Sequence, residues 1–134
     1  MIFRRIYFNE DSARSENIVN WFASDFTTNT SHFDDESLTE NLFFVNEKNN
    51  GVMLGAAEAR IEDEHILKLL NFAIHPNYRN QGLCSELLTA FEDYVKEFLS
   101  LQVTMIKLIP GGNSKEFSEN RGYELDWIFL FKII

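Results

Sequence analysis

The chain opens on Ile2 to Phe8, a run of β-branched and aromatic residues that predicts a strand, followed by the turn-and-cap sequence Asn9-Glu10-Asp11-Ser12. Ile18, Trp21, Phe22 and Phe26 then recur at helical spacing and predict a first helix from about Ala13 to Ala23. From Thr27 to Thr39 apolar residues thin out around Asp34-Asp35-Glu36, which predicts a loop or short helix. Leu42 to Asn46 and Val52 to Ile61 read as two strands of an antiparallel hairpin, joined by the turn chemistry of Glu47-Lys48-Asn49-Asn50-Gly51. Glu62-Asp63-Glu64 leads into a further strand, Ile66 to Ile74, which Pro76 ends.

Beyond the proline, Leu83, Leu87, Leu88, Phe91, Tyr94, Val95 and Phe98 repeat at three and four, predicting a long amphipathic helix to about Leu99. Val103 to Ile109 is the next strand, and a strand-helix-strand connection places it parallel to the strand before the helix. Pro110-Gly111-Gly112 breaks the chain, Asn113 caps a short helix through Asn120, and Trp127 to Ile134 closes as a strand. The pattern predicts a single domain over residues 1–134 of the α/β (α+β) class. Its sheet is mixed and mostly antiparallel, flanked by helices, in the order βα-βββ-αβ-αβ. Trp127-Ile128-Phe129-Leu130-Phe131 is apolar on both faces, which fits a buried central strand or a dimer contact, so monomer and homodimer both stay open.

Composition narrows the function. Apolar residues make up 45% of the chain, as expected of a folded globule. No apolar run reaches the roughly 20 residues needed to span a bilayer, and Met1-Ile2-Phe3-Arg4-Arg5 lacks a signal-peptide pattern, so a cytoplasmic location is expected. Cys84 is the single cysteine, and His32, His65 and His75 have no metal-ligand spacing, so no disulfide framework and no metal site are expected. The net charge is −9 without a basic cluster, which argues against nucleic acid and anionic membrane as partners. Residues 1–50 carry Arg4, Arg5, Arg14 and Lys48 against nine acidic residues, a balance that suits a cationic acceptor or a plain acidic surface.

The chemistry concentrates between Asn71 and Ser85. A strand stops at a proline, turns through polar residues and enters a helix with Gly82 in its first turn. Helix N-termini expose unpaired N–H groups and carry a partial charge of about +0.5, which suits a phosphate. Glycine at 82 allows close approach of the backbone, Gln81, Gly82, Cys84 and Ser85 offer amides, Arg79 adds charge and Ser85 a hydroxyl. An ordinary strand-to-helix turn reads the same way.

The run Ala73-Ile74-His75-Pro76-Asn77-Tyr78-Arg79-Asn80-Gln81-Gly82-Leu83-Cys84 resembles the acetyl-CoA signature of GCN5-related N-acetyltransferases, the GNAT family, and Asn113 through Gly122-Tyr123 resembles its later helix ending in Gly-Phe or Gly-Tyr. The resemblance implies a GNAT-like fold with acetyl-CoA as co-substrate and transfer of its acetyl group to an amine of a small molecule or peptide, by direct attack in a ternary complex. It implies that backbone groups of Phe72 and Ile74, with Ala73 between them, pair with the pantetheine arm, and that the Ile74 N–H faces the thioester oxygen. Arg79, Asn80, Gln81, Gly82, Leu83, Cys84 and Ser85 would hold the pyrophosphate and Asn113 the distal part of the cofactor arm.

Several positions depart from the family pattern. Ser118 stands where a thiol-protonating tyrosine is usual, with Tyr123 as a second candidate that also reads as core. The strand Leu67-Lys68-Leu69-Leu70-Asn71 has no carboxylate to act as base; Glu58 on the neighbouring strand is the substitute, although such a residue is more often solvated, and Asn71 suits ordering a water chain. Cys84 replaces the usual glycine or alanine and reads as a small side chain whose backbone is used. These departures leave a second reading, a non-catalytic acyl-CoA-binding or protein-interaction module.

Overall fold

The computed structural model describes residues 1–7, 10–25, 41–63, 65–79, 81–108, 119–126 and 129–134. Its elements are β1 (Ile2–Ile6), α1 (Ser12–Asp25), β2 (Leu42–Glu47), β3 (Met53–Glu62), β4 (Ile66–Ile74), α2 (Leu83–Phe98), β5 (Met105–Leu108), β6 (Glu124–Asp126) and β7 (Phe129–Ile133). The strands form one seven-stranded sheet in the order β1-β2-β3-β4-β5-β7-β6. β1 to β4 are antiparallel neighbours, while β4 and β5, separated by α2, run parallel.

The C-terminal end differs from the pattern-based expectation of a single strand from Trp127 to Ile134. Glu124–Asp126 forms a strand of its own and pairs antiparallel with β7, Leu125 facing Leu130. One apolar residue between two acids carries no strand signal, and only pairing with β7 makes it a strand. β7 lies between β5 and β6, so its apolar residues occupy an interior strand. Of the short helix expected over Asn113 to Asn120, the described part is Glu119 and Asn120, both helical.

The apolar stripe of α2 packs on one sheet face. Leu88, Phe91 and Val95 meet Phe44, Ala57, Ala59, Leu67, Leu69 and Ile106, each large side chain contributing about 1.5–3 kcal/mol by leaving water. Phe44 organises this layer, stacking on Phe3 and meeting Phe91 edge-on, both at 5.4 Å between centroids. Small residues opposite it, Ala57 and Ala59, let α2 approach the sheet.

α1 is tied to the other face by charge. Glu47, buried at the end of β2, accepts from Arg14 of α1 at 2.8 Å and lies 3.0 Å from Arg4 of β1. Two cations around one buried carboxylate fix where the helix crosses the first two strands. No helix among the described residues is long and apolar enough to cross a membrane.

Candidate active site

The site is built on the second half of β4, where the strand changes register. Glu58 faces Asn71 but Ala59 faces Leu69, so Leu70 is an extra residue and β4 carries a bulge. Residues 69 and 71 of a regular strand share a face, which would put Asn71 beside Leu69 in the apolar layer under α2. The bulge reverses this: Phe72 packs against that layer and Asn71 turns to the opposite face, beside Glu58.

The described β4–β5 register runs from Ile66↔Met105 to Leu69↔Leu108. On the other side, the His75 N–H donates to the Leu54 carbonyl at 2.8 Å. Backbone groups alternate along a strand, so Ala73 also turns its amide to β3, while Phe72 and Ile74 turn theirs to the β5 side beyond the bulge. These are the two residues the sequence placed against an extended cofactor arm.

After Ile74 the chain makes a short 3-10 turn, Pro76–Tyr78, held by the Tyr78 N–H on the His75 carbonyl and by the Asn77 N–H on His75 Nδ1. Arg79 turns back, its Nε donating to the Ile74 carbonyl at 3.3 Å. This bond braces the end of β4. Asn80 lies outside the described residues, and Gln81 is exposed.

Gly82 begins α2 with φ +77, the left-handed region that favours glycine, and no side chain caps the helix. A Cβ at 82 would meet no neighbouring atom, so it is the backbone angle and not crowding within the protein that selects it. The amides of Leu83, Cys84 and Ser85 head the helix, and only the more distant Glu86 N–H is bonded back to the Gly82 carbonyl, at 3.3 Å. Cys84 is half-buried; burial pushes its thiol pKa up, and the nearby Arg121 charge partly opposes that shift.

The carboxylate of Glu58 is placed unlike the solvated residue the sequence suggested. It is fully buried, accepting from Asn71 Nδ2 at 2.6 Å on one oxygen and from Asn41 Nδ2 at 2.7 Å on the other. Asn41 is fixed in turn, because Arg60 Nε donates to its Oδ1 at 2.8 Å. Burying a carboxylate is costly unless its oxygens find donors, and here both do. Asn41 and Arg60 escaped the sequence reading, since nothing local links Asn41 to a residue 17 positions on; only the β2–β3–β4 pairing does.

Tyr123 is 2% exposed and belongs to the apolar layer under α2, close to Lys132 of β7, whose register partner is Ile106 in β5. That level matches Leu67 in β4, well before Ile74, and Tyr123 belongs to the core. Its hydroxyl has no partner among the described residues, and its pKa is raised, first by burial and then by the Glu92 charge. Ser118 and Asn113 lie outside the described residues.

A second charged group, also absent from the sequence reading, joins the last hairpin to the start of α2. Glu92, buried, accepts from Lys132 at 2.6 Å and from Arg121 at 3.3 Å. Arg121 also donates to Ser85 Oγ at 2.7 Å and to Thr89. Among the described residues no group of histidine, cysteine and acidic side chains is arranged to hold a metal.

The sequence model of the Acetyltransferase (GNAT) family matches residues 7–114. Similar solved structures include an aminoglycoside 6'-N-acetyltransferase complexed with coenzyme A, at 13% identity and TM-score 0.73 over 99% of this chain and 97% of that one. Ard1 from Thermoplasma volcanium superposes with TM-score 0.71 at 15% identity, covering 99% and 97% of the two chains. A GNAT family acetyltransferase from Elizabethkingia anophelis with acetyl-CoA bound covers 75% of this chain and 80% of its own, with TM-score 0.65 and 15% identity. No curated protein matches the sequence.

Proposed function

The chain belongs to the GNAT acetyltransferase family, and from that premise we propose that it moves an acetyl group from acetyl-CoA to the primary amine of a small molecule or peptide, in one step within a ternary complex. The observation that carries the reading is the bulge at Leu70, which aims the backbone of Phe72 and Ile74 to the β5 side just before the uncapped start of α2. An extended pantetheine arm pairs with β4 there, and its pyrophosphate lies against the amides of Leu83, Cys84 and Ser85.

The amine nitrogen attacks the thioester carbonyl, the new C–N bond forms, the C–S bond breaks and CoA leaves as its thiolate. The Ile74 N–H donates to the carbonyl oxygen as negative charge gathers on it. The amine must shed a proton, and Glu58 is the group suited to collect it, through a water ordered beside Asn71 because the carboxylate itself is fully buried. Asn41 and Asn71 hold the carboxylate in one orientation.

Titration calorimetry with acetyl-CoA and release of free thiol in the presence of a primary-amine panel test this reading. Binding with amine-dependent thiol release is the expected result. Binding without release from any amine identifies a non-catalytic cofactor-binding module instead, and absence of binding overturns both.

A further inference from the structure

We propose that the acceptor amine carries an oxyanion, a carboxylate or a phosphate, and that Arg60 of β3 binds it while the amine is held near Glu58. The inference rests on the acetyl-transfer reading above and adds to it the chemical class of the acceptor and a residue that selects it.

Arg60 follows Glu58 by two positions on β3 while Ala57 and Ala59 pack under α2, so the two charged side chains share the opposite face of the sheet, about 7 Å apart along the strand. Asn41 joins them, accepting from Arg60 Nε at 2.8 Å and donating to Glu58 at 2.7 Å. A guanidinium has five N–H donors, and Nε uses one of them here. The four on the two Nη atoms make no hydrogen bond or ion pair with the described residues, and Arg60 is exposed. They form a flat fork that matches an oxyanion at two points. Because Nε is already anchored, less side-chain freedom is lost when an anion docks on the fork.

The neighbouring charges favour the same class of acceptor. Arg60 stands opposite Lys68 of β4 in the register, and Lys68 opposite Lys107 of β5, which sets three cations side by side across three strands. Lys68 and Lys107 both pair with Glu62, at 3.7 and 3.1 Å, while Glu58 accepts from the two asparagines. Among the described residues of these rungs, Arg60, Lys68 and Lys107 thus outnumber Glu58 and Glu62, in a chain whose net charge is −9. The charge beside Glu58 is therefore opposite in sign to that of the whole molecule, and it selects an amine that bears a negative group over one that bears a second cation. The spacing of about 7 Å between Glu58 and Arg60 suits an amine and an oxyanion separated by several bonds, as in an ω-amino acid.

The test measures thiol release from acetyl-CoA with three acceptors of similar length: ε-aminocaproate, its uncharged methylamide, and aminobutyl phosphate. Wild type is expected to prefer an anionic amine over the methylamide in kcat/KM, and the better of the two anionic amines identifies the oxyanion. Arg60→Gln keeps a donor where Nε stands, because the glutamine Nε2 follows Cδ as the arginine Nε does; Asn41 stays held while the charge and the fork are lost. The ratio of kcat/KM between anionic and uncharged acceptor is the quantity read, so any change at Glu58 that the acceptors share cancels. That ratio is expected to fall about tenfold in the variant, through KM, as for loss of a charge-assisted hydrogen bond. A wild type that uses the methylamide as well as the anionic amines, or a folded Arg60→Gln protein with an unaltered ratio, overturns this proposal alone. Absence of thiol release with every amine overturns the transfer reading on which it rests, and this proposal with it.

Discussion

Replacing Glu58 by glutamine separates its chemistry from its structural part. The carboxylate accepts from two amides, Asn71 at 2.6 Å and Asn41 at 2.7 Å. A glutamine offers one oxygen and one NH2, so one of the asparagines must present its own oxygen instead. Asn41 is locked by Arg60, whose Nε needs Asn41 Oδ1 as acceptor; Asn71 is therefore the residue that rotates its amide. Two charge-assisted bonds of about 1.5–3 kcal/mol each become neutral ones of about 1 kcal/mol, while the cost of burying a charge disappears. These changes oppose each other, so the net loss is expected to stay near 1 kcal/mol, or a fall in Tm of about 4 °C for a domain of this size. Activity falls further. Loss of a positioned base costs about 10²–10⁴ in rate, and a primary amine of ordinary pKa is about one part in 2,500 unprotonated at pH 7. The variant's rate should therefore climb about tenfold per pH unit as the free amine appears, while the wild type shows a flatter profile. Thiol release measured from pH 6.5 to 9.5, with thermal melts beside it, gives both numbers. A folded Glu58→Gln protein with kcat within threefold of wild type at pH 7 refutes the assignment of Glu58 as base.

Three further outcomes follow from the geometry. Gly82→Ala should lose about 1–2 kcal/mol in urea denaturation because φ +77 is strained for a β-carbon while the space around it is open; Gly82→Asn should recover most of that loss, and equal losses would contradict a purely backbone cause. Tyr123→Phe should keep full activity and gain about 1 kcal/mol by removing a buried hydroxyl without a partner. Because burial raises the folded-state pKa of Tyr123, the unfolded chain alone gives up that proton above pH 10, so wild-type stability should decline there more steeply than that of the variant in melts at pH 9 to 11. Glu47→Gln should lower stability by about 1–2 kcal/mol in urea, less than for a fully buried pair because Arg4 and Arg14 remain partly in water; an unchanged midpoint would show that α1 is held by other contacts.

The sequence by itself determined the element order up to β5, the parallel relation of β4 and β5, and the loop from Pro76 to Gly82, because each rests on local signals: alternation, helical periodicity, a proline and a glycine at a helix start. The assignment of Phe72 and Ile74 to the cofactor arm, a proposal, rests on a resemblance whose residues are contiguous. Long-range pairing decided the rest. Nothing in Leu69-Leu70-Asn71 marks a bulge, yet the register slip at Leu70 is what turns Asn71 from the apolar layer to Glu58. Nothing in Glu58 distinguishes a solvated strand residue from a buried one until β2 and β4 close on both sides with Asn41 and Asn71. Arg121 and Ser85 lie 36 positions apart and meet only because the β6–β7 hairpin folds back over the start of α2. Local patterns fix which segments form strands and helices, whereas the partner of a polar side chain is set by which strands pair and in what register, and that information exists only in the folded chain.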